Sequence, residues 1–150
     1  MRIAAIDIET LGLDPKKDKV VSMAIVTNGG VEQVLDTSQH SQAYITKALK
    51  RLAEYDVVIA HNTKFDAAFL YYQYGVLFKN LFCTMLASQI IRNGYSDARH
   101  TLVDTLGHFL GIKPIETGHK KYMRWRYMNH TIGNKITKQM EEYVMEDTRH

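Results

Sequence analysis

The sequence predicts an α/β fold. Strand-length apolar runs open the chain, Asn28-Gly29-Gly30 joins two of them, and from Gln42 onward stretches of helical period alternate with short apolar runs. Arg2–Ile8 is the first strand, followed by Val20–Thr27 and Val31–Leu35. The Asn-Gly-Gly turn tolerates positive φ and so marks a hairpin, which gives an antiparallel three-stranded opening. Gln42–Tyr55 puts Ile45, Leu49, Leu52 and Ala53 on one helical face, and Val57–Ala60 returns as a short buried strand, so this segment is a crossover into a sheet. Further helices are predicted at Asp66–Tyr74, stopped by Gly75, at Met85–Arg92, and at Leu102–Leu110, stopped by Gly111. Leu81–Cys83 is a brief strand, and the run from Lys138 to His150 is a last helix. Lys113–Asn134 is the least periodic segment. There is no internal repeat, low-complexity tract or linker.

Composition bounds the function. With 150 residues, 45% of them hydrophobic, and only two prolines, the chain can bury one core, so residues 1–150 are expected to form a single domain. Cys83 is the only cysteine, which excludes an intramolecular disulfide and suits a reducing cytoplasm. The chain enters a strand without a basic-then-apolar leader, and no apolar run approaches membrane-spanning length, so a soluble cytoplasmic protein with no membrane partner is expected.

The chemistry is concentrated in acids. In Ala4–Asp14, Asp7 and Glu9 stand one residue apart at the end of an apolar strand, so both point to the same face. Two like charges beside a buried sheet raise each other's pKa and resist desolvation unless a cation lies between them. Asp66 follows a strand and a polar turn, and Asp147 lies four residues after Tyr143 on one helical face. Four acids on separate elements can converge, and oxygen-only ligands suit two divalent cations, Mg²⁺ or Mn²⁺, better than zinc. Metals paired in this way stabilise the attacking and leaving oxygens of a phosphoryl displacement, which points to phosphodiester hydrolysis.

Charge distribution adds a second feature. The formal net charge is +3, but from Lys113 to Lys138 seven basic residues (Lys113, Lys120, Lys121, Arg124, Arg126, Lys135 and Lys138) face one acid, Glu116. Tyr122, Trp125 and Tyr127 are interleaved with them. Two readings stand: cations and rings forming a track for single-stranded nucleic acid, or a solvated loop whose Trp125 packs in the core.

The motifs Asp7-Ile8-Glu9-Thr10 with Leu13-Asp14, His61-Asn62-x-x-Phe65-Asp66 and Tyr143-x-x-x-Asp147 resemble, in that order, those of DEDD-type 3′-to-5′ exonucleases. The likeness is greatest to the proofreading exonuclease domain of family A DNA polymerases and spans nearly the whole chain. Tyr143 marks the tyrosine subclass; Glu142 stands where the other subclass carries His. Cys83-Thr84-Met85-Leu86 is similar to a family stretch that begins with Asp, a residue that is not a metal ligand there.

The resemblance implies a ribonuclease H-like mixed sheet with flanking helices. It implies that Asp7, Glu9, Asp66 and Asp147 hold the metals and that Tyr143 orients the attacking water. A phenol of ordinary pKa near 10 is neutral at pH 7, so it positions water better than it deprotonates it, and proton removal is left to the metal. Leu13 and Phe65 would lie against terminal bases and Asn62 and Thr10 by the strand; on the track reading of the basic segment, Lys120, Lys121, Arg124 and Trp125 would also contact substrate.

Taken singly, these residues have ordinary roles: Asp66 a helix-start acid, Asp147 an exposed helix residue, Leu13 and Phe65 core, Tyr143 a half-buried helix tyrosine, Asn62 a turn. Their joint order favours the site. His61, His100, His108 and His119 lack zinc-site spacing and read as surface or structural groups. Lys16, Lys17 and Lys19 read as a solvated loop.

The expected activity is therefore 3′-to-5′ exonucleolytic release of nucleoside monophosphates from single-stranded or frayed DNA ends, in proofreading or replication. The alternatives are an exoribonuclease of the ribonuclease D kind and a catalytically silent nucleic-acid-binding module. No attached polymerase domain is expected; the chain would be an excised domain, an incomplete chain or one half of a split replication enzyme, with the polymerase as a separate or removed partner.

Overall fold

The computed structural model describes residues 1–96, 98–112 and 117–149. Strands β1 (Ile3–Thr10) and β2 (Val20–Thr27) pair antiparallel, and β3 (Glu32–Asp36) continues the meander on the far side of β2. The hairpin between β2 and β3 forms as the sequence predicts, with Gly30 at φ 83° where a side chain would be strained. Helix α1 (Gln42–Leu52) then crosses to β4 (Val57–Ala60), which lies parallel to β1, and α2 (Thr63–Tyr74) crosses to β5 (Leu81–Cys83), parallel to β4. The sheet order is β3-β2-β1-β4-β5, so β1 is central and mixed in its pairing. Helices α3 (Thr84–Ile91), α4 (Leu102–Leu110), α5 (Thr117–Met128) and α6 (Lys138–Arg149) complete the described chain.

Strand alternation sorts β1 into two faces. Ala4, Ile6 and Ile8 are buried with Ile45, Leu49 and Leu52 of α1 and Phe69 and Leu70 of α2. Asp7 and Glu9 point to the opposite face, which α6 and α5 cover. There Val21 packs with Met123, Tyr127, Ile136, Met140 and Tyr143, and Ala24 with Val144 and Met145. The pairing of β1 with β2 shifts between Glu9 and Thr10, because Glu9 opposes Ser22 while Thr10 opposes Val20. Val21 is the extra residue of this bulge, and both it and Ser22 serve the α5–α6 face.

Helix boundaries depart from the periodic reading at three places. The α1 helix stops at Leu52 rather than Tyr55, because Glu54 and Tyr55 turn back onto the carbonyls of Arg51 and Leu52. The α2 helix begins at Thr63, three residues before Asp66, since Asn62 in the left-handed region (φ 69°) makes the turn out of β4 by itself. Most consequentially, Thr117–Met128 is a helix rather than a loop. Its buried residues, Met123 and Tyr127, form a stripe too narrow to register against the surrounding cations. Lys113 and Glu116 of the basic segment lie outside the described residues.

Asp36, at the end of β3, is buried and accepts hydrogen bonds from the backbone N–H groups of Ile136 (2.9 Å) and Ser38 (2.8 Å), tying the approach to α6 onto the sheet. Among the described residues no helix is long and apolar enough to cross a membrane.

Cys83 occupies the N-cap of α3, where its sulfur accepts from Leu86 N–H at 3.5 Å. Sulfur is a weak acceptor, and a hydroxyl or carboxylate oxygen caps better, which gives a structural reason for an Asp at the equivalent family position. Cys83→Ser is expected to stabilise the chain by about 0.5 to 1 kcal/mol and Cys83→Ala not to. Urea denaturation midpoints check this; equal midpoints for the two variants would remove the capping role.

Candidate active site

The acids arrive from three separate parts of the chain. β1 runs on past its ladder with β4, whose last partner pair is Ala5 with Ile59, so Asp7 and Glu9 lie beyond the end of β4. Into this opening the first turn of α2 brings Asp66, which is only 4% exposed. On the other side α6 lies across β1 and β2, and its i, i+4 pair Tyr143 and Asp147 faces the sheet.

Asp7 and Glu9 both feel the charges of Asp66 and Asp147. Burial, then the charges of Glu9, Asp66 and Asp147, hold the Asp7 carboxyl well above the usual carboxylate range. Burial, followed by the charge of Asp147, pushes Glu9 up to about 8, with Arg124 and Lys120 acting against it. Burial likewise raises Asp66 to about 7, although hydrogen bonding from the backbone of Asp66 itself and of Ile8 opposes the shift. Lys120 Nζ donates to Asp147 Oδ1 at 2.6 Å. The Tyr143 phenol is pushed up by burial and by the neighbouring Asp147 and Glu9, so it stays neutral throughout the working pH range.

Tyr143 rests on Tyr127, whose ring centroid lies 6.4 Å away. Tyr127 is fully buried; its hydroxyl donates to Met140 O (2.8 Å) and accepts from Ser22 Oγ (3.1 Å). This corrects the reading of Tyr127 as a ring for bases: it anchors α5 to α6 and β2. The spacing Met123–Tyr127, one helical turn, was the available signal.

The remaining predicted site residues separate by face. Leu13 is 79% exposed on the loop after β1, and Phe65 is half-buried against Phe69 (centroids 4.8 Å apart), so Leu13 is not core. Asn62 is half-buried, and its side chain does not cap α2. Thr10 is buried and its hydroxyl donates to Gly12 O at 2.6 Å, so its side chain shapes the turn carrying Leu13. On α5, Lys120 and Arg124 act on the acids, whereas Lys121 and Trp125 are exposed, Trp125 by 60%, which removes the core reading of this ring. Tyr122 stacks with Trp125 (centroids 6.3 Å apart), and Arg126 lies over the Tyr122 ring. His61 is structural: its ring contacts Thr84 Oγ1 and His100 O, both at 2.9 Å, holding the turn before Asp66 against α3 and the entry to α4.

The sequence profile of a 3′-5′ exonuclease family matches residues 2–150. The chain belongs to this family. Among solved structures, the exonuclease-family chain is similar to Brucella melitensis NrnC bound to pGG (26% identity, TM-score 0.74), covering 97% of this chain and 66% of that one. NrnC has also been solved with bound Mg²⁺. This chain thus spans just under two thirds of the length of the NrnC chains. The fold is shared with the Pyrobaculum calidifontis family B DNA polymerase (20% identity, TM-score 0.68, covering 99% of this chain and 23% of that one). It is shared as well with the catalytic core of RRP6 from Trypanosoma brucei (20% identity, TM-score 0.67, 97% and 37%). No curated protein sequence matches. The mixed sheet with flanking helices is the ribonuclease H-like architecture of these exonucleases.

The donor set of the site is four carboxyl groups, three of them held protonated by burial; oxygen donors that ionise when a cation is supplied fit divalent metal. Among the described residues no three carboxylate, imidazole or thiol groups are already drawn into a coordinating array.

The raised carboxyls fix the sign of a pH dependence. Glu9 and Asp66 keep their protons to about 8 and about 7 in the folded chain, whereas unfolded carboxyls lose them near about pH 4. The folded, metal-free state therefore binds more protons across this window, and its stability falls as pH rises through it. Thermal denaturation in chelator should show the melting temperature dropping from pH 5 to pH 8, with a smaller drop in Glu9→Gln. A drop no smaller in Glu9→Gln would contradict the assignment of the raised carboxyl.

Proposed function

We propose that this chain is the catalytic domain of a divalent-metal-dependent 3′-to-5′ exonuclease that releases nucleoside monophosphates from single-stranded or frayed DNA ends, in proofreading or another replication-associated role beside a separate polymerase. The observation that carries the reading is that Asp66 from α2 and Asp147 from α6 both act on the buried Asp7 and Glu9 of the central strand, with Tyr143 one helical turn from Asp147. These four acids would hold two cations, Mg²⁺ or Mn²⁺. When bound, the cations supply positive charge to the attacking and leaving oxygens of the phosphodiester. Tyr143, neutral and packed on Tyr127, orients the attacking water through its hydroxyl.

Leu13 and Phe65 would flank the terminal base, gripping it by contact with its faces rather than by its edges, as a nuclease indifferent to sequence requires. Asn62 lies on the same approach as Phe65, and Thr10 contributes by holding the Leu13 turn. Lys120 and Arg124 would meet phosphates near the acids, while Lys121 and Trp125 would extend the track along the outer side of α5. RNA is a second reading, favoured by the likeness to a nuclease solved with pGG bound.

End-labelled DNA and RNA strands incubated with Mg²⁺ or Mn²⁺ test the proposal. The expected result is metal-dependent shortening from the 3′ end, faster at mismatched than paired termini because less unpairing energy is needed. Asp7→Ala, Glu9→Ala, Asp66→Ala and Asp147→Ala should each lower the rate by orders of magnitude. Full activity in excess chelator, attack from the 5′ end or cleavage of circular strands would overturn it, and the preferred strand decides between DNA and RNA.

Tyr143→Phe keeps the packing and loses only the hydrogen bond to water. A rate loss of about tenfold to a hundredfold is expected, equivalent to about 1 to 3 kcal/mol. Single-turnover kinetics beside Asp147→Ala check this: equal loss in both variants would make positioning too small a role, and no loss would leave Tyr143 a packing residue.

A further inference from the structure

The best-shielded ion pair among the described residues lies inside the acidic site. Lys120 Nζ meets Asp147 Oδ1 at 2.6 Å with side chains 15% and 14% exposed. In the other ion pairs both side chains are at least 42% exposed. The Lys120 charge also acts on Asp7 and Glu9 in the sense that favours their ionised forms. Resting on the reading of Asp147 as a metal ligand, we propose that Lys120 is the resident counter-ion of the metal-free site: a divalent cation displaces it from Asp147, and the freed ammonium takes a phosphate oxygen of the substrate, so metal and nucleotide bind cooperatively through this side chain.

Three physical arguments support this. A single ammonium carries half the charge of a divalent cation and bonds one carboxylate well, so it can hold Asp147 without drawing four acids together. Asp147 is thereby held by one bond while its charge still acts on Asp7 and Glu9. A shielded lysine stripped of its partner is left as an uncompensated charge, which is costly. Metal loading alone therefore leaves a penalty that a phosphate relieves, and linkage makes the benefit reciprocal. Finally, Lys120 has a flexible stem and one compact charge, whereas α5 itself is fixed by buried Met123 and Tyr127, so the ammonium can swing without movement of the helix.

Mn²⁺ titration by electron paramagnetic resonance, with and without thymidine monophosphate, tests the coupling in wild type, Lys120→Met, Lys120→Arg and Asp7→Asn. In wild type, the nucleotide should tighten Mn²⁺ binding. Lys120→Met should bind Mn²⁺ alone roughly tenfold more tightly and lose most of the nucleotide effect, while Lys120→Arg restores competition. A second measurement needs no variant: reductive methylation read by peptide mass spectrometry should find Lys120 protected relative to Lys121 in chelator and exposed once Mn²⁺ is added. Mn²⁺ binding that depends on Asp7 but is unchanged in Lys120→Met, or protection of Lys120 that persists in Mn²⁺, overturns the counter-ion proposal alone. Mn²⁺ binding indifferent to Asp7→Asn overturns the metal reading and the proposal with it.

Discussion

Two buried carboxyl groups on the central strand are the constraint on which the rest of this structure depends. Asp7 and Glu9 sit on the central strand of the sheet, where water is scarce and a carboxylate is costly. A purely structural strand would carry apolar residues at both positions. Retaining two acids there, with the charges of Asp66 and Asp147 acting on both, opposes the ionisation of each.

The two faces of β1 divide the labour. One face carries Ala4, Ile6 and Ile8 into a core with α1 and α2, and this core positions Asp66 because the same helix that buries Phe69 and Leu70 begins with the acid. The other face is roofed by α5 and α6, which bring Tyr143, Asp147 and the cations Lys120 and Arg124. Tyr127 links the roof: its hydroxyl joins β2 to α6 while its ring supports Tyr143. A buried tyrosine with both hydroxyl roles filled is rigid, so the Tyr143 ring rests on a fixed support.

Much of this was legible in residue order. The hairpin at Asn28-Gly29-Gly30, the crossover carried by Ile45, Leu49 and Leu52, and the helix stops at Gly75 and Gly111 are local signals, and each appears where the local chemistry demands it. The α5 helix was not legible, because among its residues with described burial only Met123 and Tyr127 are buried and its cations hide the period. Thr10 looked like a substrate contact by its place beside Glu9; that its hydroxyl is taken by Gly12 O depends on how the chain turns after β1.

By itself the sequence determined the α/β class, the same-face placement of Asp7 and Glu9, the pairing of Tyr143 with Asp147 on one helical face, and the order of acids that marks the exonuclease family. Each of these depends on neighbours a few residues apart or on a linear pattern. Only the tertiary structure decided which of the α5 residues meet the acids and which face outward, that Lys120 is paired with Asp147 across 27 residues of chain, and that Tyr127 is a buried support. These depend on how a helix with a weak apolar stripe docks onto the sheet, and docking is set by the shape and charge of surfaces assembled from distant segments.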